Sequence, residues 1–140
     1  MLEKHGPLVG RILIAVPLLS FGWYKTQNFE MMSGWMRFLE LPAPSLLLGA
    51  AIAFELVGGL LLIAGYKTRW AALALILYII PVTFVIHSFW SVEDLVQRQA
   101  ALESFSKGII IIGGLLFVAT FGAGPVSVDG RAARKAELSV

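Results

Sequence analysis

Long apolar runs alternate with shorter polar stretches along this chain, and the apolar runs are long enough to cross a membrane as helices. A membrane-spanning helix needs about 20 mostly apolar residues, with a range of about 17–25. Four segments meet or nearly meet this length, at residues 7–24, 44–66, 70–89 and 108–124. The pattern therefore predicts an all-α integral membrane protein, a bundle of four transmembrane helices within residues 1–125.

The two long links between these spans carry polar residues at helical spacing. In the first link, residues 25–43, Ser33 and Arg37 are among the polar side chains that share one helical face. The second link, residues 91–107, begins with Ser-x-x-Asp, which resembles a capping box. Both patterns are typical of amphipathic helices, so we expect an interfacial helix in each link.

Composition and charge agree with a membrane protein. The chain is 58% hydrophobic and 14% charged, whereas soluble domains are about 45–50% apolar and about 25% charged. A formal net charge of +2 gives no indication of nucleic-acid binding. Most Lys and Arg residues lie in the N-terminus, the short turn after the second span and the polar tail of residues 126–140. Because basic residues favour the cytoplasmic side, we expect both termini in the cytoplasm.

The residue inventory narrows the redox chemistry. The chain has no cysteine, so it contains no thiol centre and no cysteine-ligated metal. A membrane haem needs two axial ligands, and the second of the two histidines, His5, lies in the polar N-terminus. No metal-binding cluster and no glycine-rich phosphate loop are visible. We therefore expect no metal site and no intrinsic cofactor.

Glu55 is the strongest candidate for a functional residue inside the membrane. It lies roughly 16 Å along its helix from Pro44 at a rise of about 1.5 Å per residue, near the middle of a hydrocarbon core about 30 Å thick. An acidic residue at this depth costs about 2.5–3.5 kcal/mol, so such residues face the bundle and usually mark function. Gly58 and Gly59 share its face and allow close helix packing. The structural alternative is an interhelical hydrogen bond.

A second set of polar candidates lies near the other ends of the spans. Lys25 ends the first span, Lys107 opens the fourth, and His87 closes the third. Two lysines and a histidine at one depth indicate a site for an anion or a carbonyl oxygen. The alternatives are interfacial anchoring by the lysines and a structural histidine. Trp90 belongs to an aromatic belt or stacks on a flat ligand such as a quinone.

Three further residues have expected structural roles. Arg11 and Arg69 lie near the inner ends of their spans, where snorkelling to the headgroups is expected. Pro81 removes an amide donor and frees the carbonyl of Leu77. Protein or water must satisfy that carbonyl within the membrane.

Several short strings match a known family. They are "ELVGGLLLIAGYKTR" at residues 55–69, "HSFW" at 87–90, "LELPAP" at 39–44, "FSKG" at 105–108, "GGLL" at 113–116 and "GAGPVSVDGR" at 122–131. With these strings the chain resembles the DoxX family of small bacterial inner-membrane proteins along nearly its whole length. The resemblance implies a four-helix membrane bundle in the bacterial inner membrane.

The resemblance also implies a redox context. The family takes its name from a subunit associated with a thiosulfate:quinone oxidoreductase, and other members are linked to oxidative-stress or thiol-handling complexes. We therefore expect a membrane subunit that interacts with a quinone or a lipid-like ligand and needs an oxidoreductase partner for catalysis. The pocket would involve Lys25, Glu55, His87, Trp90 and Lys107. The alternatives are a non-catalytic membrane anchor or assembly partner, and a small proton-coupled transporter acting as a homo-oligomer.

Overall fold

The computed structural model describes residues 1–139, and all of its regular elements are helical. The α-helices are α1 (Leu2–Gln27), α2 (Phe29–Phe38), α3 (Pro44–Ala64), α4 (Thr68–Pro81), α5 (Leu95–Phe121) and α6 (Val128–Glu137). A π-helical turn (Val82–Ile86) and a 3-10 turn (Phe89–Ser91) continue α4. Four helical segments, namely α1, α3, α4 with its continuation, and α5, are long and apolar enough to cross a membrane. The predicted all-α, four-span fold is confirmed.

The bundle is held together by close packing between neighbouring helices. Helix α1 packs along α3, and α4 lies between α3 and α5. A Cβ added at Gly58 would lie 2.7 Å from the Leu75 side chain, and one at Gly59 would lie 2.8 Å from Leu19. These two glycines therefore lie where α3 approaches both of its neighbours. The core around them is small and aliphatic, formed by Ala15, Leu18, Leu62, Ala72, Leu75, Ile76, Ile79 and Leu115.

The two long links fold differently. The first contains α2, which packs on α3. The second forms no separate helix, because its residues from Leu95 onward run without a break into α5. No glycine or proline interrupts residues 95–107, so the backbone hydrogen bonds continue although the sequence becomes polar. The N-cap is Asp94, which accepts a hydrogen bond from the Gln97 amide at 2.9 Å. The interfacial position of the link segments stays a prediction.

Helix α4 changes its winding after Pro81. One turn of π-helix follows at Val82–Ile86, and His87 is its C-cap residue. Thr83 in this turn is buried against α5, where a Cβ added at Gly108 would lie 2.2 Å from the Thr83 hydroxyl oxygen. Only glycine fits at this contact between the π-turn and α5. Single π-turns within helices occur frequently at functional sites.

Arg11 does not snorkel toward the headgroups. Its side chain is completely buried, and its guanidinium donates hydrogen bonds to the carbonyls of Leu62 at 2.6 Å, Ile63 at 3.3 Å and Val126 at 2.7 Å. The last carbonyls of a helix have no partner within the helix. Arg11 therefore caps the end of α3 and ties the segment before α6 to the bundle. The side chain turns inward because these acceptors lie within reach.

The start of α6 closes the turn between α3 and α4. Asp129 accepts hydrogen bonds from the Lys67 amide, the Thr68 amide and the Thr68 hydroxyl, each at 2.9 Å. Its own amide donates to the Gly65 carbonyl at 2.9 Å. The beginning of the polar tail is therefore a docked part of the structure, while its cytoplasmic location stays a prediction.

Acidification is expected to loosen this turn. Burial by itself raises the pKa of Asp129, but the hydrogen bonds from Thr68 and Lys67, together with the Arg11 charge, outweigh burial and hold the pKa below its ordinary value. A carboxyl with a depressed folded pKa stabilises the protein above its unfolded pKa of about 3.9, and this stability is lost as the pH falls through the folded pKa.

The matching variant is Asp129→Asn, which cannot accept all of these hydrogen bonds. At neutral pH we expect it to unfold at a lower temperature than wild type and to be less stable by about 1 kcal/mol or more. The difference should shrink below about pH 4 as the wild-type carboxyl becomes protonated. Thermal unfolding followed by circular dichroism in detergent measures both. Glu137→Gln, an exposed change on the same helix, is the control, and a pH-independent difference would contradict the assignment.

Candidate functional site

Three polar side chains from three helices meet inside the bundle, away from Arg11. Lys25 of α1 forms an ion pair with Oε1 of Glu55 on α3. The hydroxyl of Tyr78 on α4 donates to the same carboxylate oxygen at 2.8 Å, and Lys25 Nζ donates to the Tyr78 oxygen at 3.2 Å. These three residues form a closed set of contacts that we call the polar cluster.

The polar cluster is largely shielded from solvent. The Glu55 side chain is 5% exposed and that of Lys25 is 17% exposed, and the second carboxylate oxygen of Glu55 is buried without a hydrogen-bond partner. Gly22 makes the approach of α1 possible, since a Cβ there would lie 3.2 Å from the Glu55 Cβ. Each charge of a buried pair depends on the other, because a lone buried charge is strongly unfavourable. Removing one member of the pair would therefore leave the other buried without its partner.

A cavity of about 720 Å³ lies beside the polar cluster. Its wall is mostly apolar and is built by α2, α3 and the second half of α4 with the π-turn. Lys25, Tyr78 and His87 bring polar groups to this wall, whereas Glu55 lies behind it. Helix α2 covers one side with Met32, Trp35 and Met36. The arrangement can hold an apolar molecule with its polar end near Lys25 and His87.

The segment that contains this site matches a known family. Residues 6–88, more than half of the chain, match the sequence profile of the DoxX family. The chain belongs to the DoxX family. All polar residues of the cluster and the cavity wall lie within the matched segment.

Relatives of this DoxX protein have similar length. It is 31% identical to the inner membrane protein YqjF of Escherichia coli over 129 residues, which cover 91% of this chain and 92% of that one. It is 29% identical to the inner membrane protein YphA of the same organism over 125 residues, or 89% and 88% of the two chains. These similarities and its four apolar helices indicate that it is a multi-pass inner-membrane protein.

A more distant similarity extends beyond bacteria. The chain is 34% identical to the Surfeit locus protein 4 homolog of Schizosaccharomyces pombe over 70 residues, which are 49% of this chain and 23% of that one. No solved structure matches the chain.

The structure brings together only part of the predicted set in this DoxX protein. Lys25 contacts Glu55, and His87 lines the same cavity as Lys25. Trp90 and Lys107 are not among the described residues that line the cavity. Trp90 packs edge-on against Phe89 and Phe105, with ring centroids 5.2 Å and 5.8 Å apart, and Lys107 is exposed.

The residues with expected structural roles lie in two places. Pro81 lines the cavity at the start of the π-turn, next to Leu77 in the wall. Arg69 lies at the other end of the bundle, where it is exposed and borders a smaller cavity of about 320 Å³ with Lys67 and Asp129.

Tyr78 is the residue that sequence reasoning missed. Its ring stacks on Phe54 at 5.5 Å between centroids, and its hydroxyl completes the polar cluster. It lies roughly 12 Å along its helix beyond Trp70 at about 1.5 Å per residue, deeper than an aromatic belt. A tyrosine at that depth needs a hydrogen-bond partner for its hydroxyl. Glu55, the acidic residue within the preceding span, is the partner that this argument would have found.

Proposed function

We propose that this DoxX protein is a membrane subunit of a redox or oxidative-stress system, and that it binds a quinone or a similar lipid-like ligand in the cavity beside the polar cluster. The observation that carries the proposal is the apolar cavity of about 720 Å³ with Lys25 and His87 in its wall. Small-molecule sites are typically mostly apolar clefts of about 300–1,000 Å³ with a few polar groups that fix orientation.

The residues present fit the chemistry of a quinone head. Quinone carbonyl oxygens accept hydrogen bonds, and Lys25 and His87 are the side chains in the wall that would donate them. Trp35 and Phe54 offer flat apolar surfaces in the same wall. A bound quinone would supply two-electron chemistry. The protein residues would bind and orient it and keep water away from its polar end.

The proposal includes a partner protein. The chain has no cysteine and therefore no thiol that exchanges electrons. An oxidoreductase partner would carry the centre that exchanges electrons with the bound quinone. Isolation of one stoichiometric partner together with bound quinone would support a redox subunit. A partner isolated with no ligand in the cavity would instead favour a membrane anchor.

Filling the cavity is expected to weaken ligand binding. Ala51 lines the cavity, whereas Ala53 on the same helix is exposed and does not. We expect Ala51→Phe to weaken binding of a short-chain quinone at least about tenfold, since its ring occupies space that the ligand needs. Ala53→Phe should bind like wild type. Titrated quenching of tryptophan fluorescence in detergent, with Trp35→Phe to identify the cavity signal, measures this.

A second readout uses what the protein carries from its membrane. Solvent extraction of purified protein, followed by chromatography of the extract, identifies any bound quinone or lipid. We expect the compound in wild type and Ala53→Phe and a strong reduction in Ala51→Phe. Equal amounts in all three proteins would contradict binding in this cavity.

A further inference from the structure

We infer that the Lys25–Glu55 pair makes the cavity selective for ligands whose polar head is an uncharged hydrogen-bond acceptor. Amphiphiles with a carboxylate or an ammonium head are disfavoured. The inference rests on the proposed binding of a lipid-like ligand, and it names the head-group chemistry that the same site takes.

The charge of the site disfavours a carboxylate head. Among the described residues that line the cavity, Lys25 is the one with a permanent charge, and its charge is already matched by Glu55 behind it. A carboxylate head would add a third charge to an apolar environment and leave a net negative charge there. Unmatched charges in such surroundings are strongly unfavourable. A neutral head adds no charge and leaves the ion pair intact.

The hydrogen-bond donors of the polar cluster favour a neutral acceptor head. The Lys25 ammonium has three N–H groups, of which one is directed to Glu55 and one to Tyr78. The third has no hydrogen-bond partner among the described residues, and Lys25 lines the cavity. The Tyr78 hydroxyl already donates its hydrogen to Glu55. The cluster therefore offers the ligand a donor, which a carbonyl or ether oxygen can accept.

The site also disfavours cationic heads. An ammonium head needs a carboxylate, several carbonyl oxygens or a cage of aromatic rings around it. The one carboxylate of this region is Glu55, which is 4% exposed and lies outside the cavity wall. Lys25, a like charge, lines the cavity and contacts that carboxylate. A cationic ligand would therefore meet Lys25 first and be repelled.

The test uses two ligands that differ only in charge: dodecanoate brominated at its terminal carbon, and the methyl ester of the same compound. Bromine quenches nearby tryptophan fluorescence, and Trp35 lies in the cavity wall. Titrations are made in nonionic detergent at about pH 8.5, where the carboxylate of the ligand is ionised. The partition of each ligand into protein-free micelles is measured and subtracted.

Wild type is expected to bind the ester at least about tenfold more tightly than the carboxylate. In Glu55→Gln the Lys25 charge loses its partner, so the preference for the ester should fall at least about tenfold or reverse. The double variant Lys25→Met/Glu55→Gln is neutral again and should regain the ester preference. Trp35→Phe should lose the saturable part of the quenching in every case, and the exposed Trp23, Trp70 and Trp90 account for the quenching that remains.

The outcomes separate this inference from the proposed function. Equal binding of both ligands by wild type, or tighter binding of the carboxylate, overturns the charge selectivity and leaves a lipid-binding cavity. Absence of any Trp35-dependent quenching by either ligand overturns the proposed function and the inference together. If Glu55→Gln does not fold, the wild-type comparison of ester and carboxylate alone decides.

Discussion

Replacing Arg11 with methionine is expected to lower the free energy of unfolding by about 3 kcal/mol or more. The guanidinium of this fully buried residue is the hydrogen-bond partner of the Leu62, Ile63 and Val126 carbonyls. Methionine fills a similar volume but donates nothing, so the Ile63 and Val126 carbonyls lose this donor and the Leu62 carbonyl keeps only the Gly65 amide at 3.2 Å. Each buried acceptor left without a partner costs about 1–3 kcal/mol.

The matched control is Arg69→Met. Arg69 lies at the same end of the bundle, but its side chain is exposed, so we expect a change within about 0.5 kcal/mol. Arg11→Lys should be intermediate, because lysine keeps the charge and lacks the planar fork that reaches several carbonyls. Unfolding in mixed micelles with increasing sodium dodecyl sulfate, followed by circular dichroism, measures all three. Equal stability of Arg11→Met and Arg69→Met would show that Arg11 is a headgroup anchor.

Arg11 also shows where sequence reasoning reaches its limit. A basic residue near the end of an apolar run is ordinarily read as a snorkelling side chain. The acceptor that changes this reading is Val126, which is 115 positions away along the chain. No local pattern indicates such a contact, since it depends on how the segment before α6 returns to the bundle.

The four spans were predictable because length and hydropathy are local properties of each segment. The start of α5 was not predictable in this way. The apolar run begins only after residue 107, whereas the helix already begins at Leu95 in the polar link. Helix continuity depends on backbone hydrogen bonds and on the absence of breakers, and polarity alone does not end a helix. Residues 95–107 contain no breaker.

The candidate site was predictable in part for a related reason. The depth of Glu55 in its span identified it as a residue that must face the bundle. Depth does not decide which cation it meets, since Arg11, Lys25, Arg69 and Lys107 all lie in or next to the apolar runs. The choice depends on the rotation of α1 and on the close approach that Gly22 permits. Both are properties of helix packing that a single sequence does not display.

Replacing Lys25 with methionine is expected to have the second large effect, a loss of about 3–5 kcal/mol of stability. The change leaves Glu55 buried within a span, with Tyr78 as its hydrogen-bond donor and without a cation. Lys107→Met is the matched control, because Lys107 is also a lysine next to an apolar run, but it lies within α5 and is exposed. We expect that control to change stability by no more than about 0.5 kcal/mol.

A double-mutant cycle separates the ion pair from the packing around it. If Lys25 and Glu55 stabilise each other, Lys25→Met/Glu55→Gln should be more stable than the sum of the two single changes predicts, by about 1–3 kcal/mol. The double variant contains no lone buried charge, so the remaining loss reflects only hydrogen bonds and packing. The same unfolding titration in mixed micelles measures the four proteins. A coupling near zero would mean that Tyr78 alone holds Glu55 and that Lys25 serves as an interfacial anchor, which would also remove the basis for charge selection in the cavity.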